Sequence, residues 1–269
     1  HGEASGRFAQ EPTQRLSSNQ NDDALGSSIA VCDFNGDGWL DIAGGALRYE
    51  NRRDDPISWN EGGLFLYLGD ASGFPSAPDQ VLIGKQHLGS NAWGGMVNYQ
   101  MGYRLSAGDY NGDDLCDVDI SSVSWAMQGR GIVYLYSGRA AMGLELGGLS
   151  PLPVAIIESD EPQDQNGSLG RKMISADLNG DDLDDLVISH HTNDKFLTNQ
   201  GTVHVFYGGG AINWDSDSDS VLLLSPYGAE WTYFGEIHDQ LSNDIAAIDY
   251  DGIPPLDLMV TSMYGDGVN

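Results

Sequence analysis

Asp33, Asn35, Asp37 and Asp41 occupy positions 1, 3, 5 and 9 of the nonapeptide Asp33-Phe34-Asn35-Gly36-Asp37-Gly38-Trp39-Leu40-Asp41. Alternate residues of a tight loop aim short oxygen-bearing side chains at one centre, and glycines at positions 4 and 6 take turns that a side chain would obstruct. The position-7 residue, Trp39, adds a backbone carbonyl. An all-oxygen set of this kind suits a hard cation. The arrangement recurs in Asp109-Tyr110-Asn111-Gly112-Asp113-Asp114-Leu115-Cys116-Asp117 and in Asp177-Leu178-Asn179-Gly180-Asp181-Asp182-Leu183-Asp184-Asp185. A fourth copy, Asp249-Tyr250-Asp251-Gly252-Ile253-Pro254-Pro255-Leu256-Asp257, loses position 5 to Ile253.

Elements that could position these loops repeat with them. The first loop residues, Asp33, Asp109, Asp177 and Asp249, are 76, 68 and 72 residues apart. Each loop follows an approach of the form Leu25-Gly26, Met101-Gly102, Leu169-Gly170 or Phe234-Gly235, and then a short apolar run such as Ile29-Ala30-Val31-Cys32. A second run follows each loop, for example Leu186-Val187-Ile188-Ser189. A third carries alternating aromatics, as in Leu64–Leu68, Ile132–Tyr136 and Val203–Tyr207. A fourth run closes the unit at Val81–Ile83, Val154–Ile157 and Val221–Leu224. Short β-rich runs separated by turn residues, without a sizeable segment of helical period, predict an all-β protein. Four antiparallel strands per period of about 70 residues predict β-propeller blades, with successive solenoid hairpins the less suitable arrangement.

The ends fit the same period. Gly2–Phe8, with Pro12 and Leu16, echoes Gly69–Phe74, with Pro78 and Leu82. Residues 1–24 therefore read as the outer strand of a preceding blade. Blades are expected over 25–84, 101–159 and 169–226, and a partial blade over 234–269. Residues 1–269 read as one segment of a larger propeller, or as a ring needing a strand from elsewhere.

The formal charge of −28 argues against nucleic acid or an anionic membrane surface as partner. Three divalent ions would neutralise only a small part of it. No apolar run approaches the roughly 18 residues a membrane helix requires, and His1–Gly6 has no secretion-signal pattern. Cys32 and Cys116 occupy different repeat positions, so a disulfide and two buried thiols both remain open. His190-His191, as strand neighbours, point to opposite faces, which favours packing or solvent over joint metal ligation. Asn166-Gly167-Ser168 has the pattern of a glycosylation acceptor.

The loops, the strands around them and the Gly201–Gly208 third strand resemble the FG-GAP repeat family, which builds the N-terminal propeller of integrin α subunits. The resemblance spans about residues 25–260. It implies Ca²⁺ in loops between strands one and two of each blade. Carried over by position, it implies the ligands Asp33, Asn35, Asp37, Trp39 (carbonyl) and Asp41; Asp109, Asn111, Asp113, Leu115 (carbonyl) and Asp117; and Asp177, Asn179, Asp181, Leu183 (carbonyl) and Asp185. The fourth loop, with Asp249, Asp251 and Asp257, is expected to hold an ion only weakly. The glycine–alanine–proline part of the family pattern is poorly kept outside Gly44-Gly45-Ala46.

Calcium of this kind staples turns, which leaves recognition to the opposite rim. Loops there carry Trp59, Trp93, Tyr99, Trp125 and Trp231, which either contact a protein or glycan ligand or cap their own loops. No nucleophile elbow, cysteine–histidine pair in a helpful context or phosphate-cradling loop is present. The sequence thus predicts a non-enzymatic, extracellular, calcium-stabilised propeller that acts in adhesion or structural interaction, with self-assembly or completion by another chain as a further partner expectation. A lectin-like propeller, or the propeller of a polysaccharide-degrading enzyme, is the alternative.

Overall fold

A computed structural model describes residues 14–50, 60–83, 100–123, 131–142, 146–158, 169–193, 196–197, 199–209, 222–224, 226–236 and 240–264. The first sheet runs β1 (Leu25–Cys32), β2 (Asp41–Ala46), β3 (Gly63–Tyr67) and β4 (Gln80–Ile83), in that spatial order and antiparallel throughout. The second is built from β5 (Met101–Gly108), β6 (Asp117–Val123) and β7 (Gly131–Tyr136). A small hairpin of β8 (Gly138–Arg139) and β9 (Gly148–Leu149) precedes its outer strand, β10 (Ala155–Glu158). The third uses β11 (Leu169–Ala176), β12 (Asp185–His190) and β13 (Thr202–Phe206). After these come β14 (Leu222–Leu224) and β15 (Trp231–Phe234). A hairpin of β16 (Leu241–Ile248) and β17 (Asp257–Ser262) makes the fourth unit.

Register places the four loops identically. Cys32 pairs with Asp41, Gly108 with Asp117, Ala176 with Asp185 and Ile248 with Asp257. Every loop therefore connects the first strand of a sheet to its second. A bulge interrupts each of these pairs near its far end. The third strands, Gly63–Tyr67, Gly131–Tyr136 and Thr202–Phe206, are buried along their whole length. Sheets covered on both faces favour continuous branched and aromatic runs over strict alternation.

The core lies between sheets. One apolar cluster joins Phe34, Leu64 and Leu66 to Leu105, Ile120 and Tyr134 across the first junction. A second joins Tyr110, Val133 and Leu135 to Leu169, Met173 and Leu186. A third joins Val187, Val203 and Val205 to Leu241 and Ile245. Glycine sets the approach distance. A Cβ at Gly62, Gly131 or Gly201 would lie 2.2 Å, 2.1 Å or 2.4 Å from backbone of Met101, Leu169 or Leu241, so only glycine lets the third strand meet the next unit.

That contact also corrects the fourth approach. The sequence predicts Phe234-Gly235, but Leu241-Ser242 takes the place of Leu25-Gly26. Gly26, Gly102 and Gly170 have φ of 89°, 102° and 77°, and Ser242 accepts φ 66°. Its Oγ donates to the Thr202 carbonyl (2.7 Å) and accepts from the His190 amide (3.3 Å), anchoring a conformation unusual for a side-chain residue. Phe234 instead ends β15, which pairs with β13 as the outer strand of the third sheet. The predicted outer strand Val221–Leu224 is displaced too: Leu222–Leu224 adds parallel to β10 at the edge of the second sheet. A three-residue apolar run suits either edge, and sequence cannot choose between them.

Cys32 and Cys116 are disulfide-bonded across the first junction, with Cα atoms 6.0 Å apart. Their different repeat positions are the reason they meet, because the residue before one loop faces position 8 of the next. Within 14–24 no strand is assigned; Leu16 and Phe74 both pack against the buried cluster of Ala46, Phe65 and Tyr67, and Gln14 exchanges hydrogen bonds with the Phe74 backbone. No helix among the described residues is long and apolar enough to cross a membrane.

Candidate metal loops

Each loop is wound around its first aspartate. Asp33 Oδ1 accepts the amides of Gly36 (2.7 Å) and Asp37 (3.3 Å), and its Oδ2 accepts that of Gly38 (2.8 Å). Asp109 does the same with Gly112, Asp113 and Asp114, and Asp177 with Gly180 and Asp182. Positions 4 and 6 both lie in the left-handed region. Gly36 and Gly38 fill them in the first loop, while Asp114 (φ 64°) and Asp182 (φ 67°) take position 6 in the next two. Aspartate tolerates that region better than most side chains. In the fourth loop position 6 is Pro254, whose ring holds φ negative and which has no amide hydrogen, so only Gly252 (φ 78°) turns this way.

Positions 3 and 5 interlock. The Asn35, Asn111 and Asn179 carbonyl oxygens accept the amides of Asp37, Asp113 and Asp181 at 2.9–3.1 Å, and their Nδ2 groups donate to the same aspartates' Oδ2 atoms. Those aspartates' Oδ1 atoms accept the amides of Trp39, Leu115 and Leu183, the position-7 residues. Asn35 is also buried, its Nδ2 donating to the Leu146 carbonyl (3.0 Å) in the link between β8 and β9.

Position 9 ties the loop to the sheet. Asp41 accepts Phe34 N (2.9 Å) and Gly69 N (2.8 Å); Asp117 accepts Tyr110 N and Gly138 N; Asp185 accepts Leu178 N and Gly208 N. Gly69 and Gly208 enter the sequence reading only at the ends of third strands, and Gly138 not at all, so their part in the site was missed. A Cβ on them would strike the carbonyls of Leu40, Cys116 and Asp184 at 2.2–2.6 Å, so a recurring glycine after each third strand is the signal. All three position-9 aspartates are fully buried. Burial pushes the Asp41 carboxyl up to about 6 and Asp117 up to about 7, against the lowering effect of the amides, and raises Asp185 as well.

The donor set fits a hard divalent cation. It is all oxygen, it concentrates three carboxylates per loop, and it buries one of them without a basic partner among the contacts that shift it. Each carboxylate oxygen that accepts an amide retains a lone pair for a metal. Among the described residues, the acid set whose carboxylate oxygens already lie within 4.8 Å of one another is that of the fourth loop, Asp249, Asp251 and Asp257, and not those of the three intact loops. The loop that lost a ligand in sequence thus still gathers its three remaining acids.

Other candidates are distributed differently. Trp59, Trp93, Tyr99, Trp125 and the Asn166 acceptor lie outside the described residues. Trp231 is on β15 and not in a rim loop; its ring stacks on Tyr233 (centroids 5.8 Å apart, planes 13° apart), and both are half exposed. His190 and His191 are buried with separate partners: His190 Nδ1 meets Asn193 Nδ2 (3.2 Å) and His191 Nε2 meets Arg171 (3.3 Å). Their separate partners and burial suit packing roles. Asp119 is fully buried near Tyr110, where the equivalent residues are Ala43, Val187 and Met259; burial holds its carboxyl well above the usual range.

Residues 25–52 match the FG-GAP repeat. Over 222 residues, 79% of this chain, the sequence is 28% identical to human phosphatidylinositol-glycan-specific phospholipase D, and the match spans 23% of that protein. It is 29% identical to mouse integrin alpha-IIb over 172 residues, 63% of this chain and 15% of the integrin. Integrin alpha-3 of Cricetulus griseus is 29% identical over 138 residues, 51% of this chain and 11% of that protein. The chain thus spans less than a quarter of the length of these curated relatives. Sheets built from antiparallel strands with a loop of one design at one place in each, together with these matches, support an FG-GAP, integrin-α-like propeller.

Proposed function

We propose that residues 1–269 form a calcium-stabilised segment of an extracellular β-propeller that serves as a non-catalytic protein-interaction module in adhesion or surface assembly. The observation that carries this reading is the recurrence of one oxygen-rich loop, in one register, at the strand-one to strand-two connection of successive sheets. Asp33, Asn35, Asp37 and Asp41 would hold the first ion, with the Trp39 carbonyl; the sets at 109–117 and 177–185 would hold the second and third. Bound Ca²⁺ supplies positive charge that offsets three clustered carboxylates and ties the loop ends to one centre. Asp249, Asp251 and Asp257 form a weaker fourth site, because Ile253 brings no oxygen side chain and Pro254 prevents the second left-handed turn. The bonded Cys32–Cys116 pair supports an oxidising, extracellular setting. The similarity to integrin α subunits supports an interaction role, with a protein or glycan bound on the rim away from the ions, while the match to the phospholipase D covers 23% of that protein. Strong acidity disfavours nucleic acid, and nothing in the reading calls for membrane insertion.

Calorimetric titration of the calcium-free protein should show three sites of comparable strength and a weaker fourth. Asp109→Ala should remove one of the three. Uptake of no calcium, or an undiminished count in that variant, would refute the assignment.

The Trp231–Tyr233 stack favours a second reading, a glycan-binding surface, because two coplanar half-exposed rings offer an apolar platform for a sugar face. Trp231→Ala should then abolish retention on a glycan array. Binding that survives the change, or no glycan bound by the unaltered protein, rejects this reading.

A further inference from the structure

Two residues follow the approach pair in every first strand: Ser27-Ser28, Tyr103-Arg104, Arg171-Lys172 and Asn243-Asp244. They lie at the bulge of that strand, at the end away from the metal loop. In three units a hydroxyl of the second strand fixes the second of the pair. The amides of Arg104, Lys172 and Asp244 donate to Ser121 Oγ (3.1 Å), Ser189 Oγ (2.9 Å) and Thr261 Oγ1 (2.9 Å). First strands form one edge of each sheet, and β1, β5, β11 and β16 lie against one another in turn. Ser28, Arg104, Lys172 and Asp244 therefore occupy equivalent places on one row of neighbouring strands.

This row concentrates positive charge in a chain that has little. The protein carries 40 Asp and Glu against 12 Lys and Arg, yet three of the twelve, Arg104, Arg171 and Lys172, fall at these equivalent places. Arg171 is exposed, and Arg104 and Lys172 are partly so. Among the described residues neither guanidinium meets a carboxylate at ion-pair distance. Arg104 Nη1 donates to the Tyr103 carbonyl (2.9 Å), with its Cζ 4.6 Å from the centre of the Tyr103 ring, and Arg171 Nη1 meets His191 Nε2 (3.3 Å). Lys172 does hold an acid: its Nζ lies 3.1 Å from Asp244 Oδ1. That contact keeps the Asp244 carboxyl below the usual carboxylate range, and the Arg104 charge acts in the same direction. One end of the row thus already binds an aspartate, while two guanidiniums of the same row have none.

Resting on the interaction-module reading above, we propose that Arg104, Arg171 and Lys172 form a docking site for an acidic segment of a protein partner. Asp244 shows the kind of group the row accepts, an aspartate side chain, and a partner's carboxylates would take the same part at the two arginines. A guanidinium offers paired N–H donors that match both oxygens of a carboxylate, so each arginine can hold one acid side chain in a fixed orientation. Three cations among 40 acids are too few to draw a nucleic acid or an anionic membrane onto the protein. A peptide carrying a few carboxylates needs only local partners, because repulsion from acids elsewhere on the surface is largely screened beyond about 8 Å at physiological ionic strength.

The probe is a fluorescent glycine–glutamate repeat peptide, titrated against the protein in calcium and followed by anisotropy, with a glycine–glutamine repeat as the uncharged control. Saturable binding of the acidic peptide alone is expected. Arg104→Gln and Arg171→Gln should each weaken it about fivefold. Asp244→Asn should strengthen it, because removing the internal carboxylate frees Lys172; a merely structural role for the row would give no such gain. Equal binding of the two peptides, unchanged affinity when both arginines are replaced, or an affinity in Asp244→Asn that does not rise overturns the proposal. Heparin held by the same arginines and not displaced by the acidic peptide also overturns it, by assigning the row to a sulfated glycan. Calcium uptake by the same samples separates the failures. Normal uptake without peptide binding rejects the docking site alone, whereas no uptake by the unaltered protein rejects the calcium-stabilised module beneath it.

Discussion

Withdrawing calcium with EDTA should lower the melting temperature, and the loss should grow as pH rises from about 5 to above 7. The reason lies in the position-9 aspartates. Without an ion, burial raises Asp41 to about 6 and Asp117 to about 7, and raises Asp185 in the same direction. A carboxyl whose folded pKa lies above its unfolded value binds its proton more tightly in the folded state. Between the two values the folded protein therefore holds more protons, and stability falls as pH rises through that window. Each unit of elevation costs about 1.4 kcal/mol once the group is ionised. On the proposed reading calcium would reverse the situation, since it requires the ionised form and neutralises it in place. At pH 5 the ion must compete with protons and stabilises little; at pH 7.5 it removes the whole penalty at each loop. Scanning calorimetry with and without calcium across this range checks the expectation. Equal melting temperatures, or a difference that does not change with pH, would show that the loops hold no stabilising ion.

The loops, their register and the first three strands of the first three sheets were legible in the sequence, because each rests on local chemistry. Spaced oxygens and glycines mark the turn, and apolar runs on either side mark the paired strands. What was not legible depends on the approach of units to one another. Val221–Leu224 looks like the outer strand of the third unit, but the edge of the second sheet takes Leu222–Leu224 while Trp231–Phe234 pairs with β13. Phe234-Gly235 imitates the approach dipeptide; the true one hides its left-handed residue as Ser242, held by Thr202 and His190. The glycines after the third strands, Gly69, Gly138 and Gly208, carry no oxygen side chain, yet their amides orient the buried carboxylates. A search for ligands passes over them. Cys32 and Cys116 look unrelated when repeats are aligned position to position, and become partners when adjacent repeats are set side by side.

That disulfide should matter most when calcium is absent. It closes a loop of sequence separation 84, for which the chain-entropy account gives about 4.5 kcal/mol. For a chain of this size that corresponds to a fall in melting temperature on the order of 10 °C. The bond sits beside the contact of the Cys116 amide with the Asp33 carbonyl, so it ties the residue before one candidate metal loop to the eighth of the next. Ion and bond thus restrain the same strip of backbone from two sides. Perturbations that share partners are not additive. With calcium bound, Cys32→Ser with Cys116→Ser should lose part of the entropic stabilisation but keep the two loops in place. With calcium removed, apolar packing and hydrogen bonds such as those from Ser27 and Ser28 to the Gly102 carbonyl are left to hold the first junction, and the combined loss should exceed the sum of the separate ones. Denaturant unfolding of the four states, bonded or serine-substituted and with or without calcium, measures the coupling. Strict additivity would mean that ion and disulfide act on separate cooperative units, and that the first junction does not depend on its metal loops.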